Sequence, residues 1–290
     1  MLQVARLATK LLGDSSDLVA GFLSSQQNPD GGFKSRDGNS DLYYTAFGLE
    51  GFLALQRKPC VGSVKGYLEK FGIGEGLDFV HLCCLARCWA GLGSYGHDYP
   101  SITRRAIVQN LGPYRTGDGG FHPTKGAVNG TAYGCFLGLG AYQDLGESLP
   151  EPLSVVQCLK RLETPDGAWS NERGMAVGST NATAAAVGVL RNLGAPINST
   201  VGDWLLDRCH KQGGFVAAPN TPLPDLLSTA TALHALAGLQ VPVERIKEQC
   251  LDFVDSLWTN EGGFHGHWAD DVLDCEYTYY GLLALGHLSL

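Results

Sequence analysis

The chain has 290 residues, 44% hydrophobic and 17% charged, a composition suited to a large packed interior rather than a disordered polymer. Its 29 acidic against 21 basic residues give a formal net charge of −8, which argues against a nucleic-acid partner and against docking on an anionic membrane. No apolar window of about 18 residues occurs, and residues 1–6 lack a basic segment leading into an apolar run, so neither a membrane span nor a signal peptide is expected. Nine cysteines without a pairing frame, among them Cys83, Cys84 and Cys88 on one apolar stretch, predict free thiols in a reducing, cytoplasmic setting. The glycosylation triplets at Asn129, Asn181 and Asn198 carry no meaning there.

In chain order, Leu18, Phe22 and Leu23 begin a helix with a single apolar stripe. It leads into Asp30-Gly31-Gly32-Phe33, a phrase that returns as Asp118-Gly119-Gly120-Phe121, Asp166-Gly167-Ala168-Trp169, Gln212-Gly213-Gly214-Phe215 and Glu261-Gly262-Gly263-Phe264. Successive copies are 88, 48, 46 and 49 residues apart. The double first step predicts a diverged unit near Gly72-Ile73-Gly74-Glu75-Gly76, hence six repeats of roughly 45–50 residues. Such a turn needs glycine for positive φ, and its aromatic plugs the space between units.

Helices before the turns are striped, as with Val155, Val156, Leu159 and Leu162, or Ile246, Cys250, Phe253, Val254 and Leu257. Helices after the turns are apolar nearly all round, as in Ala46 to Leu55, Ala184 to Leu190 and Gly281 to Leu285. One striped and one fully apolar class predict an outer ring wrapped on an inner ring. The last unit ends on an apolar segment with no capping repeat, which favours closure into an all-α, α6/α6 toroid over an open superhelix. Residues 1–290 are expected to form one domain around a central cavity.

The inner helices begin with a second repeated phrase: Asp41 to Thr45, Asp78 to Leu82, Ala127 to Thr131, Ser179 to Thr183, Asp225 to Thr229 and Asp274 to Thr278. Asp and Ser in these places are favoured helix caps, and they would also ring the mouth of the cavity. Asp41, Tyr43, Tyr44, Asp78, His81, Asn129, Asn181, Asp225, Trp268 and Tyr280 are therefore candidates for lining the mouth or cavity. His265 and His267 with Asp270 or Asp271 offer a thin metal-ligand pattern, and Cys275 reads as a buried thiol.

With the Gly-Gly-aromatic turn followed by an Asp-x-x-x-Thr helix start, the whole chain resembles the β subunits of protein prenyltransferases, geranylgeranyl transferase type II above all. The terpene cyclases are more distant relatives of similar fold. The resemblance implies an aromatic-lined isoprenoid cavity, a zinc ion, a basic diphosphate pocket at the mouth and a helical α-subunit partner. Zinc is the one cofactor it brings; the residues themselves call for none.

Aligned linearly, the family's Asp-x-Cys falls on Asp225-Leu226-Leu227, its later His on Tyr277, and its arginine on Ala218. In a permuted register, Asp274 and Glu276 take the Asp-x-Cys slots, Tyr44 takes the His slot and His267 the arginine. Both registers keep the Asp, replace His by Tyr and lose the cationic clamp. A degenerate zinc and diphosphate site that still holds a hydrophobic, isoprenoid-like ligand or a partner is the main expectation. The alternative is an active enzyme, either a prenyltransferase with altered ligands or an acid-initiated cyclase. In the cyclase reading, Asp274-Cys275-Glu276-Tyr277 resembles an Asp-x-Asp-Asp group, and Asp274, Glu276 and Tyr277 are the catalytic candidates, sheltered by Tyr279, Tyr280 and Trp268.

Overall fold

The computed structural model describes residues 1–97 and 101–290. Among the described residues, two single helical turns, Leu2–Ala5 and Thr9–Leu12, precede twelve helices of alternating class. The odd-numbered ones form the outer layer: α1 (Ser16–Ser25), α3 (Val61–Glu69), α5 (Ser101–Leu111), α7 (Pro152–Lys160), α9 (Thr200–Leu206) and α11 (Lys247–Ser256). The even-numbered ones form the inner layer: α2 (Leu42–Ala54), α4 (Phe79–Gly93), α6 (Ala132–Asp144), α8 (Thr180–Asn192), α10 (Leu226–Gly238) and α12 (Cys275–Leu288). Each inner helix packs on the next, and α12 packs on α2, so the ring is closed. This is the α/α toroid that the two helix classes predict.

The repeated phrases explain how each unit is assembled. In four units the threonine four residues after the cap accepts a hydrogen bond from the turn aromatic's backbone N–H. These are Phe33 to Thr45 (3.0 Å), Trp169 to Thr183 (3.1 Å), Phe215 to Thr229 (2.9 Å) and Phe264 to Thr278 (3.4 Å). The Phe33, Phe121 and Phe264 rings then lie against Gly48, Gly138 and Gly281, where an added Cβ would come within 2.4–2.7 Å of ring carbons. The glycines inside these apolar helices are therefore seats for the plug.

The first glycine of the turn meets two demands in four units, at Gly31, Gly119, Gly213 and Gly262, whereas Gly167 has only the positive φ. Gly213 has φ +88°, and a Cβ there would sit 1.8 Å from the Gln249 carbonyl of α11. Gly262 has φ +92°, and a Cβ there would sit 2.2 Å from the Leu18 carbonyl of α1, which joins the sixth unit to the first on the outside of the ring as well. Leu18 itself is 49% exposed; the stripe of α1 runs through Val19, Phe22 and Leu23. The hidden second unit is present as α3, the turn around Gly72–Gly76 and α4.

One frame differs from the sequence reading. The cap of α6 is Thr131, whose hydroxyl accepts from Gly134 N at 2.8 Å. The third phrase is thus displaced by four residues: Thr131 holds the place of Asp41, and Cys135 the place of Thr45. Asn129 consequently lies exposed in the preceding loop and does not correspond to Asn181.

Gly213→Ala should lower the urea midpoint, because backbone strain alone costs about 1–3 kcal/mol and the Gln249 carbonyl must also move. Gly66→Ala, inside α3 with open space around it, should instead raise stability by about 0.5–1 kcal/mol.

Candidate functional site

Counting from the caps places equivalent side chains at one depth. The second residue after the cap is Tyr43, Tyr133, Asn181 or Leu227 in four units, and all four line an internal chamber of about 190 Å³. One to two turns deeper come Phe47, Phe136, Ala185, Thr231, Tyr279 and Tyr280. Arg87, Gly188 and His234 form the floor, and they also line a second chamber of about 270 Å³ toward the other end of the ring. The upper walls are therefore mostly aromatic, on side chains set by α2, α6 and α12.

In the last unit the second residue after the cap is Glu276. Its Oε1 accepts from the Tyr43 hydroxyl at 2.6 Å, across the α12–α2 junction. Burial lifts this carboxyl to about 7; the Tyr43 bond works against the shift, and the Asp274 charge adds to it. Near neutral pH Glu276 is thus divided between acid and carboxylate. Burial also pushes the Tyr43 phenol far upward, so Tyr43 remains a donor.

The acidic caps form the rim. Asp41 accepts from Tyr43 N (2.7 Å), Asp78 from His81 N (2.9 Å), Asp225 from Ser228 N (2.7 Å) and Asp274 from Tyr277 N (2.8 Å). Asp41, Asp225 and Asp274 also act on the next inner helix. His81 Nε2 lies 3.1 Å from Asp41 Oδ2, and its Nδ1 lies 2.8 Å from Asp78 Oδ2. The Asp41 bond, reinforced by Asp78 against the effect of burial, raises His81 to about 9, so it is an imidazolium at neutral pH. Tyr277 stands within the fields of Glu276 and Asp225, and Tyr44 within that of Asp274; burial first, then Glu276 ahead of Asp225 for Tyr277 and Asp274 for Tyr44, bring both phenols to about 12.

An arginine completes the rim. A short hairpin, β1 (Phe33–Lys34) and β2 (Ser40–Asp41), carries Arg36 across to the sixth unit. Its Nε donates to Asp274 (2.8 Å), its Nη2 to Asp270 (2.9 Å), and its guanidinium lies 5.3 Å from the Tyr277 ring centre. Even so, burial leaves the Asp274 carboxyl above its ordinary range, with the Tyr277 N–H and Arg36 opposing the shift.

The sequence profile of the prenyltransferase alpha-alpha toroid domain matches residues 4–71 and 183–289, more than half of the chain. The chain belongs to this family.

Among solved structures, the toroid is similar to the type II terpene cyclase MstE from Scytonema with the product merosterolic acid A. The TM-score is 0.60 at 14% identity, over 97% of both chains. It is also similar to the protein geranylgeranyltransferase-I of Candida albicans complexed with GGPP, with a TM-score of 0.58 at 15% identity. That match covers 99% of this chain and 83% of the other. A protein from Actinoplanes matches at a TM-score of 0.59 and 16% identity, over 96% and 99% of the two chains. At such identities the likeness establishes the fold. No curated protein sequence matches. No helix among the described residues is long and apolar enough to cross a membrane.

Within this prenyltransferase-type toroid the candidates separate into three places. Tyr43, Asn181 and Tyr280 line the bore, and Glu276 stands beside Tyr43. Asp41, Tyr44, Asp78, His81, Asp225, Asp274 and Tyr277 belong to the rim. Asn129 and Trp268 reach neither: the Trp268 indole donates to Ser256 Oγ at 2.8 Å and packs edge-on to Phe253 of α11. Sequence reasoning missed Tyr133, because the third frame was displaced. It also missed Arg36, Glu50, Arg87 and His234. A signal existed for three of these, since each is a polar residue inside an otherwise apolar inner helix.

Two titrations follow. His81 gains its partners on folding, so its contribution to stability is complete below about 6.5 and is lost as pH rises toward 9. Unfolding midpoints should fall over that window and flatten in His81→Gln. Glu276 is raised from 4.5 to about 7, so the native state loses stability as pH climbs through that interval. Glu276→Gln should therefore be the more stable protein at pH 8, and the difference should shrink toward pH 4.5.

Proposed function

We propose that this toroid, acting as one unit over residues 1–290 in a reducing cytoplasm, holds an isoprenoid-like hydrocarbon in its bore. On this reading its zinc and diphosphate site is degenerate. The aromatic upper chamber carries the proposal, because Tyr43, Phe47, Tyr133, Phe136, Tyr279 and Tyr280 wall it with little polar surface. An apolar cavity of about 150 Å³ is known to take up benzene. By that scale a chamber of about 190 Å³ suits a chain of one or two isoprene units. All its walls come from this chain, so a helical α-subunit partner would dock outside the bore.

The rim supports the degenerate site. A zinc-bound thiolate mechanism needs two or three firm nitrogen, sulfur or carboxylate ligands on neighbouring units. In the linear register Asp225 is engaged by Ser228 N and Oγ, Leu227 stands in the sulfur place and Tyr277 in the imidazole place. In the permuted register Asp274 is occupied by Arg36. Neither set suits the metal. Arg36 reaches Asp274 and Asp270, and these two aspartates already neutralise it, so a bare diphosphate would meet net negative charge.

A second reading rests on Glu276. A carboxyl near half-protonation, oriented by Tyr43 and set beside aromatic faces, can give its proton to an alkene and leave a cation sheltered by the rings. Loss of a proton elsewhere on the chain would then yield a cyclic isomer of unchanged mass.

Titration calorimetry with geraniol and geranyl diphosphate tests the binding. Geraniol should bind, the diphosphate should bind at least about tenfold more weakly, and Ala185→Trp, which fills the bore, should abolish binding while keeping the helical spectrum. Failure of geraniol to bind, or binding that survives Ala185→Trp, would overturn the proposal. Chromatography of prenyl alcohols after incubation tests the second reading. An isomeric product that disappears in Glu276→Gln supports it, and identical product profiles with and without protein refute it.

A further inference from the structure

The deep end of the upper chamber differs from its walls. Arg87 of α4 enters beneath the Phe47 ring, 5.7 Å from its centre, and its Nε and Nη2 donate to the two oxygens of Glu50 at 2.5 and 2.7 Å. Glu50 thereby fixes the guanidinium and balances its charge, and Nη1 carries two further N–H groups. Across the bore, His234 of α10 bonds through Nδ1 to His287 Nε2 at 3.0 Å, which leaves Nε2 as its remaining hydrogen-bonding atom. Both Arg87 and His234 line the chamber. An apolar ligand alone would gain nothing from a guanidinium and an imidazole at this depth, and burying such groups without a use is costly.

We infer that the floor formed by Arg87 and His234 is a receptor for a neutral oxygen, a hydroxyl or carbonyl, at the deep end of the bound hydrocarbon. This rests on the proposed binding of an isoprenoid-like chain, and it narrows the ligand to one oxygenated at its tail.

The electrostatics select neutral oxygen over an acid or an amine. Burial brings His234 down to about 3 and His287 down to about 4, so neither adds charge at neutral pH. Arg87 is matched by Glu50, and the Asp144 carboxyl, lifted to about 7 by burial, faces the chamber below. The Met1 ammonium also lines both chambers and lies in the field of both imidazoles, so two cations and two acids stand near the floor; a carboxylate would meet Glu50 and Asp144, and an ammonium would meet Arg87 and Met1. An alcohol or ketone can accept from Arg87 and exchange a hydrogen bond with His234, whichever tautomer is present.

The test compares two ligands that differ only at the tail: geranyl methyl ether and 8-hydroxygeranyl methyl ether, titrated calorimetrically into the full-length chain. The hydroxylated ether should bind about tenfold more tightly, the worth of a buried hydrogen bond. That preference should vanish in His234→Phe and in the paired variant Glu50→Leu/Arg87→Met, which removes both charges together. It should persist in Trp268→Phe, outside the ring. Equal affinities in the unaltered protein, or a preference retained in His234→Phe, would overturn the inference even if the paired variant failed to fold. Binding of neither ether would instead overturn the reading on which it rests.

Discussion

A backbone N–H that finds a threonine hydroxyl holds this ring together. The turn aromatic must be buried, and a buried amide must be paired. The hydroxyl four residues into the inner helix answers it and also donates to the cap's carbonyl, as Thr45 does to Asp41 and Thr278 to Asp274. In the first and sixth units that small bond accompanies an aromatic seated on a glycine of the inner helix, Phe33 on Gly48 and Phe264 on Gly281. The positive-φ glycine of the turn packs against the backbone of the next outer helix at Gly31, Gly119, Gly213 and Gly262. Local turn chemistry, helix capping and contact between units are thus one arrangement, repeated with small edits.

The fold was legible because its determinants are local and periodic. Gly-Gly-aromatic turns, striped against fully apolar helices, and Asp-x-x-x-Thr starts can all be read without knowing what touches what. The third frame was misread for an equally local reason: Thr131 is both a threonine at a helix start and the cap itself, and only its bond to Gly134 distinguishes the two roles.

The site was legible in outline only. Which carboxylates belong to the rim followed from the caps. Their partners did not, because Arg36 sits 234 and 238 residues from Asp270 and Asp274 and meets them only after closure. The Glu50–Arg87 and His234–His287 pairs likewise join helices whose adjacency depends on the ring. Trp268 shows the converse error. Its composition suggested a cavity aromatic, yet its position in the loop before α12 turns it toward α11. Charge tells a similar story: the rim satisfies its carboxylates internally, through helix N–H groups, an imidazolium and one arginine.

The common phase of the inner helices has an evolutionary implication. Each level of the bore is a circle of positions supplied by separate repeats, as tumblers are set in a combination lock. Exchanging one side chain alters the chemistry at one height and leaves the plug, cap and seam of that repeat intact. A scaffold of this kind can trade an aromatic wall for a carboxyl or an amide, as Tyr43, Asn181 and Glu276 stand at one level, without renegotiating how the protein folds.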